Sequence, residues 1–409
     1  MSRLQELIDE LCPDGMVFER FDSVCTLKAR IGWQRLTKAE RLPVGDYLLI
    51  TGTDFQSNHK INYSTCEYVT KERYEQDENI QLCDGDVLLT KDGTLGKVVI
   101  VEGLPKPATL NSHLFVVRSK TARLEQRFIM HYLLSYGFTS AMEANSAGST
   151  IKGFTQKAFS SIKIPVPPIE IQREIVRILD SFQELDDALT AEIEARKKQF
   201  EACLSKLMKV VSESASMVKL GSQMTIVRGA SPRPIKRYLT TDVDGVHWIK
   251  IGDVGVGGKY VTDTAEYVTP DGAAKSRFLK RGSLILSNSM SFGRPYILDI
   301  DGCIHDGWLA MSDYESSYDR DFLYYLLRSE EVQKAWNMAA STSTVRNLNA
   351  DIVRDTLVPL PRMDEQIEAV RTLDEIMKLN DLLRSERDAR RKQFEHYRDR
   401  LLAFPEKAA

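Results

Sequence analysis

One stretch of this chain occurs twice. Residues 165–201 read PVPPIEIQREIVRILDSFQELDDALTAEIEARKKQFE, and residues 359–395 read PLPRMDEQIEAVRTLDEIMKLNDLLRSERDARRKQFE. They align without a gap at an offset of 194, with 18 of 37 positions identical. Weaker matches precede each copy in the same order. Cys66–Thr70 pairs with Ala265–Thr269, Gly85–Thr90 with Gly282–Ser287, and Gly96 falls on Gly293. Tyr132–Leu134 pairs with Tyr325–Leu327, and Ser149–Lys152 with Ser343–Arg346. The chain is therefore two copies of one unit, each a diverged segment followed by a well-matched one.

The matched segments are expected to be helices. Pro165, Pro167, Pro168, Pro359 and Pro361 crowd the two junctions, and neither Pro nor Gly occurs from Ile169 to about Val210 or from Arg362 to about Phe404. Proline suits a helix start and not its interior. Ile171, Ile175, Ile178, Phe182, Leu185 and Leu189 step by four and three, the coiled-coil seam, and an extra step to Ile193 reads as a stutter. Met363, Ile367, Val370, Leu373 and Met377 begin the seam of the second copy. Neither rod can bury its stripe alone: each could pack on its own domain, but their matched length and pattern favour packing on each other, and the chain path between them allows an antiparallel pair.

The diverged segments read as α/β domains. Apolar runs separated by Gly, Asp, Asn and Ser clusters predict strands at Tyr47–Ile50, Gly85–Thr90, Lys97–Val101 and Leu114–Val117. The second half predicts them at Trp248–Ile251, Ser283–Leu286, Tyr296–Leu298 and Trp308–Met311. Helices are expected near Glu125–Leu134 and Asp319–Leu327.

The formal net charge is −3. That excludes a uniformly basic nucleic-acid binder but not a local basic surface. Two such patches exist, residues 26–41 and 224–240, near the start of each half. No aliphatic stretch approaches the roughly 20 residues of a membrane span, and the acidic, amphipathic start MSRLQELIDELCPDG does not read as a secretory signal. The six cysteines form no C-x-x-C pair, which argues against zinc and for reduced thiols. No Walker A, G-x-S-x-G, H-E-x-x-H, EF-hand or amino-methyltransferase motif occurs, GDVGVGGK (252–259) reads as a turn, and the six histidines lack ligand spacing.

Basic and Asn/Ser/Thr-rich loops supply the residue types that hold phosphates and read base edges. In the first half these are Lys28, Arg30, Arg35, Lys38, Lys91, Thr94, Asn111, His113 and Lys152. In the second half they are Arg228, Ser231, Arg233, Lys236, Arg237, Asn288, Ser289, Arg294, His305, Arg346 and Asn347. Divergence of these loops between two copies of one scaffold suits two readers of different sequences.

Two diverged domains, each followed by a Pro-rich junction and a long helix carrying A-R-K/R-K-Q-F, resemble the specificity (S) subunit of type I restriction-modification systems. LQELIDELCPDG, VRGASPRPIKRYL, WIKIGDV and ILSNSMSFGRPYI look like the same family. The resemblance implies two pseudo-symmetric α/β (α+β) target recognition domains separated by two long antiparallel coiled-coil helices. Residues 1–163 and 213–357 would be the recognition domains, and 164–212 and 358–409 the helices. Each domain would read half of a split double-stranded DNA target, and the helices would set its unread spacer. It implies a non-catalytic, cytoplasmic chain without a cofactor or metal of its own. Its partners would be two modification (methyltransferase) subunits using S-adenosylmethionine, and restriction (translocase/nuclease) subunits using ATP and magnesium. Arg196, Lys198, Gln199 and Phe200, with Arg390, Lys392, Gln393 and Phe394, are the candidates for partner contact. The competing readings are an autonomous DNA-cleaving or DNA-methylating enzyme, and a coiled-coil adaptor that binds only proteins.

Overall fold

A computed structural model describes residues 2–31, 34–92, 96–146, 156–242, 244–254, 258–288, 292–341 and 348–407. Two long helices dominate the secondary structure, Ile169–Ser214 and Met363–Leu401. Both begin just after the junction prolines. Chain packing divides the molecule into two units: residues 1–192 with 384–409, and residues 193–383. Each long helix thus contributes one part to each unit.

In the first unit, one sheet has the order Cys25–Lys28, Leu114–Ser119, Val87–Thr90, Val98–Ile100, all antiparallel. A second sheet has the order Glu67–Val69, Tyr47–Ile50, Ala108–Leu110, Gln81–Leu82, and its central pair is parallel. The first sheet is buried on both faces. Val87, Leu89, Val98, Phe115 and Val117 enter a core shared with the helices, whereas Leu88, Val99, Leu114 and Val116 enter the core shared with the second sheet. That split follows the two-residue period of a strand. It also explains why the sequence shows continuous apolar runs here rather than alternation.

The second unit repeats this arrangement. Thr225–Arg228, Trp308–Ser312, Leu284–Ser287 and Pro295–Leu298 form the two-sided sheet, with Tyr260–Val261 added at its edge. Leu284, Leu286, Ile297, Leu309 and Met311 face the helices. Ile285, Tyr296, Leu298, Trp308 and Ala310 face the other sheet. The predicted strands and the helices Gln126–Leu133 and Arg320–Arg328 all form within a few residues of expectation. The fold class read from the sequence, α/β (α+β) domains in two copies with long helices, is the one found.

The duplicated segment works in the same way in both units. Short antiparallel pairs, Phe18–Arg20 with Lys163–Pro165 and Ser216–Lys219 with Leu357–Leu360, return the chain to the start of a long helix. Gln172 then donates to the carbonyls of Arg123 and Pro167 and accepts from Glu125 N. Gln366 donates to the carbonyls of Ser317 and Pro361 and accepts from Asp319 N. Both glutamines have no exposed surface. Three of the four hydrogen-bonding capacities of each amide are used to tie a helix to its own domain.

The seam departs from expectation at its ends. Ile171, Ile175 and Leu179 pack into the first domain's core. Leu401, at the end of the second helix, shares that core, and Phe182 meets Phe394 at 6.0 Å and Tyr397 at 5.7 Å. Asp186 receives both arms of Arg391 at 2.7 and 2.8 Å. Partner numbers fall as helix-one numbers rise, so the two segments run antiparallel within this unit. Leu185, Met363 and Ile367, all expected in the seam, are exposed instead. In the second unit, Ala369 and Leu373 share the core with Phe200, Leu204 and Met208. The stripe therefore has to serve two surfaces in turn, its own domain and the facing helix, and a single heptad phase does not describe it. Residues 255–257 of the predicted glycine-rich turn lie outside the described residues, and Ile251–Asp253 just before them form a 3-10 turn. No helix among the described residues is long and apolar enough to cross a membrane.

The first unit is closed by the C-terminal segment. Met16 N donates to Pro405 O at 2.9 Å, and Lys407 N to Met16 O at 2.8 Å. Lys163 pairs with Glu406 at 2.6 Å.

Candidate nucleic-acid interface

The same hairpin recurs at the edge of both domains. Gly85 and Gly282 precede its first strand with φ of +92° and +88°, and Gly96 and Gly293 close its loop at +85° and +72°. These are left-handed conformations that glycine tolerates best. Gly96 N donates to Thr90 O and Gly293 N to Ser287 O. Lys97 N donates to Thr90 Oγ1, and Arg294 N to Ser287 Oγ. One exposed cation, Lys97 or Arg294, therefore leaves each hairpin at the same place. Lys97 was absent from the sequence-derived candidates. Carrying the Gly96/Gly293 match one residue further would have found it.

In the second unit, three separate segments converge around the turn at Asp306. Arg228 Nε donates to the Asp306 carbonyl at 2.7 Å and Asn288 Nδ2 to the same oxygen at 3.0 Å. Ser231 Oγ donates to the carboxylate at 2.9 Å, and Arg233 reaches its other oxygen at 3.3 Å. Arg277 Nε donates to Arg228 O at 2.9 Å. Close approach of the basic loop needs Gly229, because a Cβ there would lie 2.1 Å from His305 O. Burial pushes the Asp306 carboxyl up, but the Ser231 hydrogen bond and the Arg228 charge more than reverse this and leave it below the usual range. His305 is mostly covered, between Trp248 and Trp308, and burial lowers its pKa. Arg233, Lys236, Arg237 and Arg294 remain exposed.

In the first unit the counterpart surface carries exposed Arg35, Lys38 and His113 with half-buried Lys28 and Lys91. His113 Nδ1 lies 3.1 Å from Asp92, and the Lys91 ammonium sits 5.5 Å from the centre of the Phe115 ring. Three of the expected contact residues are buried and hydrogen-bonded within the protein. Arg30 is buried and donates to Leu110 O, Gln34 O, Gln76 Oε1 and Thr109 Oγ1. Burial and the neighbouring Arg73 charge lower its pKa to about 10. Its guanidinium ties the loop at Gln34 to the strand Ala108–Leu110 and to Gln76. Asn111 is buried and accepts from Ser112, and Asn288 is buried against Asp306. Thr94, Lys152, Ser289, Arg346 and Asn347 lie outside the described residues.

The partner candidates divide by face. Phe200 is buried in the second unit's core, and Phe394 is half-buried against Phe182. Phe200 thus packs inside its own unit, whereas part of the Phe394 ring remains exposed. Lys198, Gln199, Arg390, Lys392 and Gln393 are exposed, and Arg196 is half-exposed.

Against known proteins, residues 13–196 match the family model described as the type I restriction modification DNA specificity domain. In that stretch the chain is similar to the type I specificity subunits. A putative type I restriction enzyme specificity subunit of Haemophilus influenzae is 26% identical over 318 residues, 72% of this chain and 76% of that protein. The type I restriction enzyme MjaVIII specificity subunit of Methanocaldococcus jannaschii is 25% identical over 337 residues, 75% of each. A crystal structure of the S subunit from M. genitalium superposes with a TM-score of 0.52 at 15% identity, covering 95% of this chain and 96% of that one. A chain from a structure of a type I R-M system gives 0.59 at 18%, covering 95% and 97%. At these identities the superpositions speak for a shared specificity-subunit fold.

Proposed function

We propose that this chain is the DNA-reading specificity subunit of a type I restriction-modification complex. Each unit reads one half of a bipartite duplex target, and the chain performs no chemistry itself. The observation that carries this reading is a conserved scaffold with divergent tips. The two-sided sheet, the glycine-closed hairpin and the glutamine anchor repeat. By contrast, Lys91, Asn111 and His113 in one unit stand where Asn288, His305 and Gly307 stand in the other. Base contacts specify and phosphate contacts position, so variable tips on a fixed frame suit two half-sites. The exposed A-R-K/R-K-Q residues of the long helices are proposed to meet two modification subunits, which would bring S-adenosylmethionine. Restriction subunits, where they join, would bring ATP and magnesium. The setting is cytoplasmic.

The test is an exchange of residues 17–160 for the matching segment of another specificity subunit, followed by sequencing of modified bases. One half of the modified motif should change. Alteration of both halves would defeat the assignment of one reader per unit. The purified chain alone should neither methylate nor cut DNA, and either activity would support the autonomous-enzyme reading instead.

A further inference from the structure

The turn at Asp306 places a carboxylate among the second unit's basic residues, bonded to Arg233 and close to Arg228. An acid there is costly for a surface that only collects phosphates, because each phosphate contact is driven by neutralising negative charge. Asp306 is nonetheless tied in more closely than any neighbour. Its carboxylate holds Ser231 and Arg233, and its carbonyl holds Arg228 and Asn288. Its own N–H lies 3.3 Å from Ser231 Oγ, so the serine and the aspartate bond reciprocally. The Asn288 carbonyl in turn accepts from Leu348 N at 2.9 Å, which joins the strand that enters the hairpin to the segment before the helix Ala350–Asp355. One residue therefore fixes the basic loop, the hairpin base and a fourth segment against each other.

We propose that Asp306 is the positioning residue of the second reading surface. It holds Arg228 and Arg233 in a fixed direction and makes sequence-independent phosphate binding less favourable, so that discrimination between DNA sequences depends on it. Two arguments support this. A free arginine has several rotatable bonds, and an arginine already held by an acceptor loses less freedom when it meets a base edge. A fixed negative charge also weakens every unspecific approach of the backbone, which is discrimination by penalty rather than by attraction. The first unit has a looser version, the exposed His113–Asp92 pair at 3.1 Å. The proposal rests on the DNA-reading function above.

The test uses the full chain assembled with modification subunits and a library of 40-base-pair duplexes with randomised sequence. The unaltered assembly should enrich a two-part motif. Asp306→Asn should blur one part of that motif and leave the other intact. It should also raise affinity for a scrambled duplex at low salt and cut the selected-to-scrambled affinity ratio by roughly ten-fold, the size of one lost base-pair preference. Asp306→Glu, which keeps the charge, should recover part of the ratio. A melting temperature close to that of the unaltered chain separates this from unfolding, and Ser231→Ala, a milder change at the same junction, should move the ratio in the same direction. If Asp306→Asn and Ser231→Ala both select the unaltered motif with unaltered ratios, Asp306 is not a positioning residue. A library that yields no motif with the unaltered assembly would remove the DNA-reading function, and this proposal with it.

Discussion

At the scale of single residues, composition marked basic loops but not which of their side chains are free. Arg30 and Arg35 looked equivalent in the sequence, five positions apart in one basic patch. Arg30 instead lies under that patch, its guanidinium spent on four acceptors. Arg30→Met should cost about 2–4 kcal/mol in urea unfolding, because it leaves buried acceptors unpaired. The salt dependence of DNA binding should be unchanged. Arg233→Ala should do the opposite, with no loss of stability and a salt slope reduced by about one. The matched position Asp180/Asp374 shows a second divergence that no motif reveals. Asp180 receives Arg127 at 2.6 Å and lies 2.9 Å from His131 Nε2, whereas Asp374 receives Lys259 at 2.9 Å and the Tyr325 hydroxyl. Burial holds the His131 pKa below its ordinary value despite Asp180. The unfolded chain therefore takes up this proton first, and the first unit loses stability as pH falls below about 6.5. Asp180 is also held below the usual carboxylate range by His131 and Arg127, against the effect of burial, and its contribution is lost at still lower pH. Denaturant midpoints between pH 7.5 and 5.5 should fall less steeply in His131→Gln.

At the scale of elements, the long helices and most strands were legible because their signals are local. A proline start, an uninterrupted run without glycine and a repeat offset need no knowledge of what packs where. The seam was only partly legible. Periodicity says which residues share a face but not which surface receives them, and here the domain takes the first turns. Exposed Ile367 and buried Leu373 sit six residues apart on one predicted stripe. Leu373→Ala should therefore cost about 2–5 kcal/mol by opening a cavity, and Ile367→Ala almost nothing in the same melt. The two-sided sheets explain a further gap. With every position of the inner strands such as Val87–Thr90 and Leu284–Ser287 buried, the sequence announces a strand without saying which residues meet the helices and which meet the second sheet.

At the scale of the molecule, the duplication was visible from 37 aligned positions, but the packing units do not follow the repeat boundaries. One unit is a single run of chain, residues 193–383, and the other is built from both ends, residues 1–192 and 384–409. The N-terminal segment holds the C-terminal one through Met16, Pro405 and Lys407, over buried Leu401 and Leu402. The two units therefore differ in when they can be finished on the ribosome. The second has all its parts once residue 383 has emerged, but the first, although synthesised earlier, waits for residues 384–409. Domains fold as they become complete during synthesis, so the half made first is the half completed last. Until then it displays the apolar groove around Leu4 and Met16 that the tail will cover.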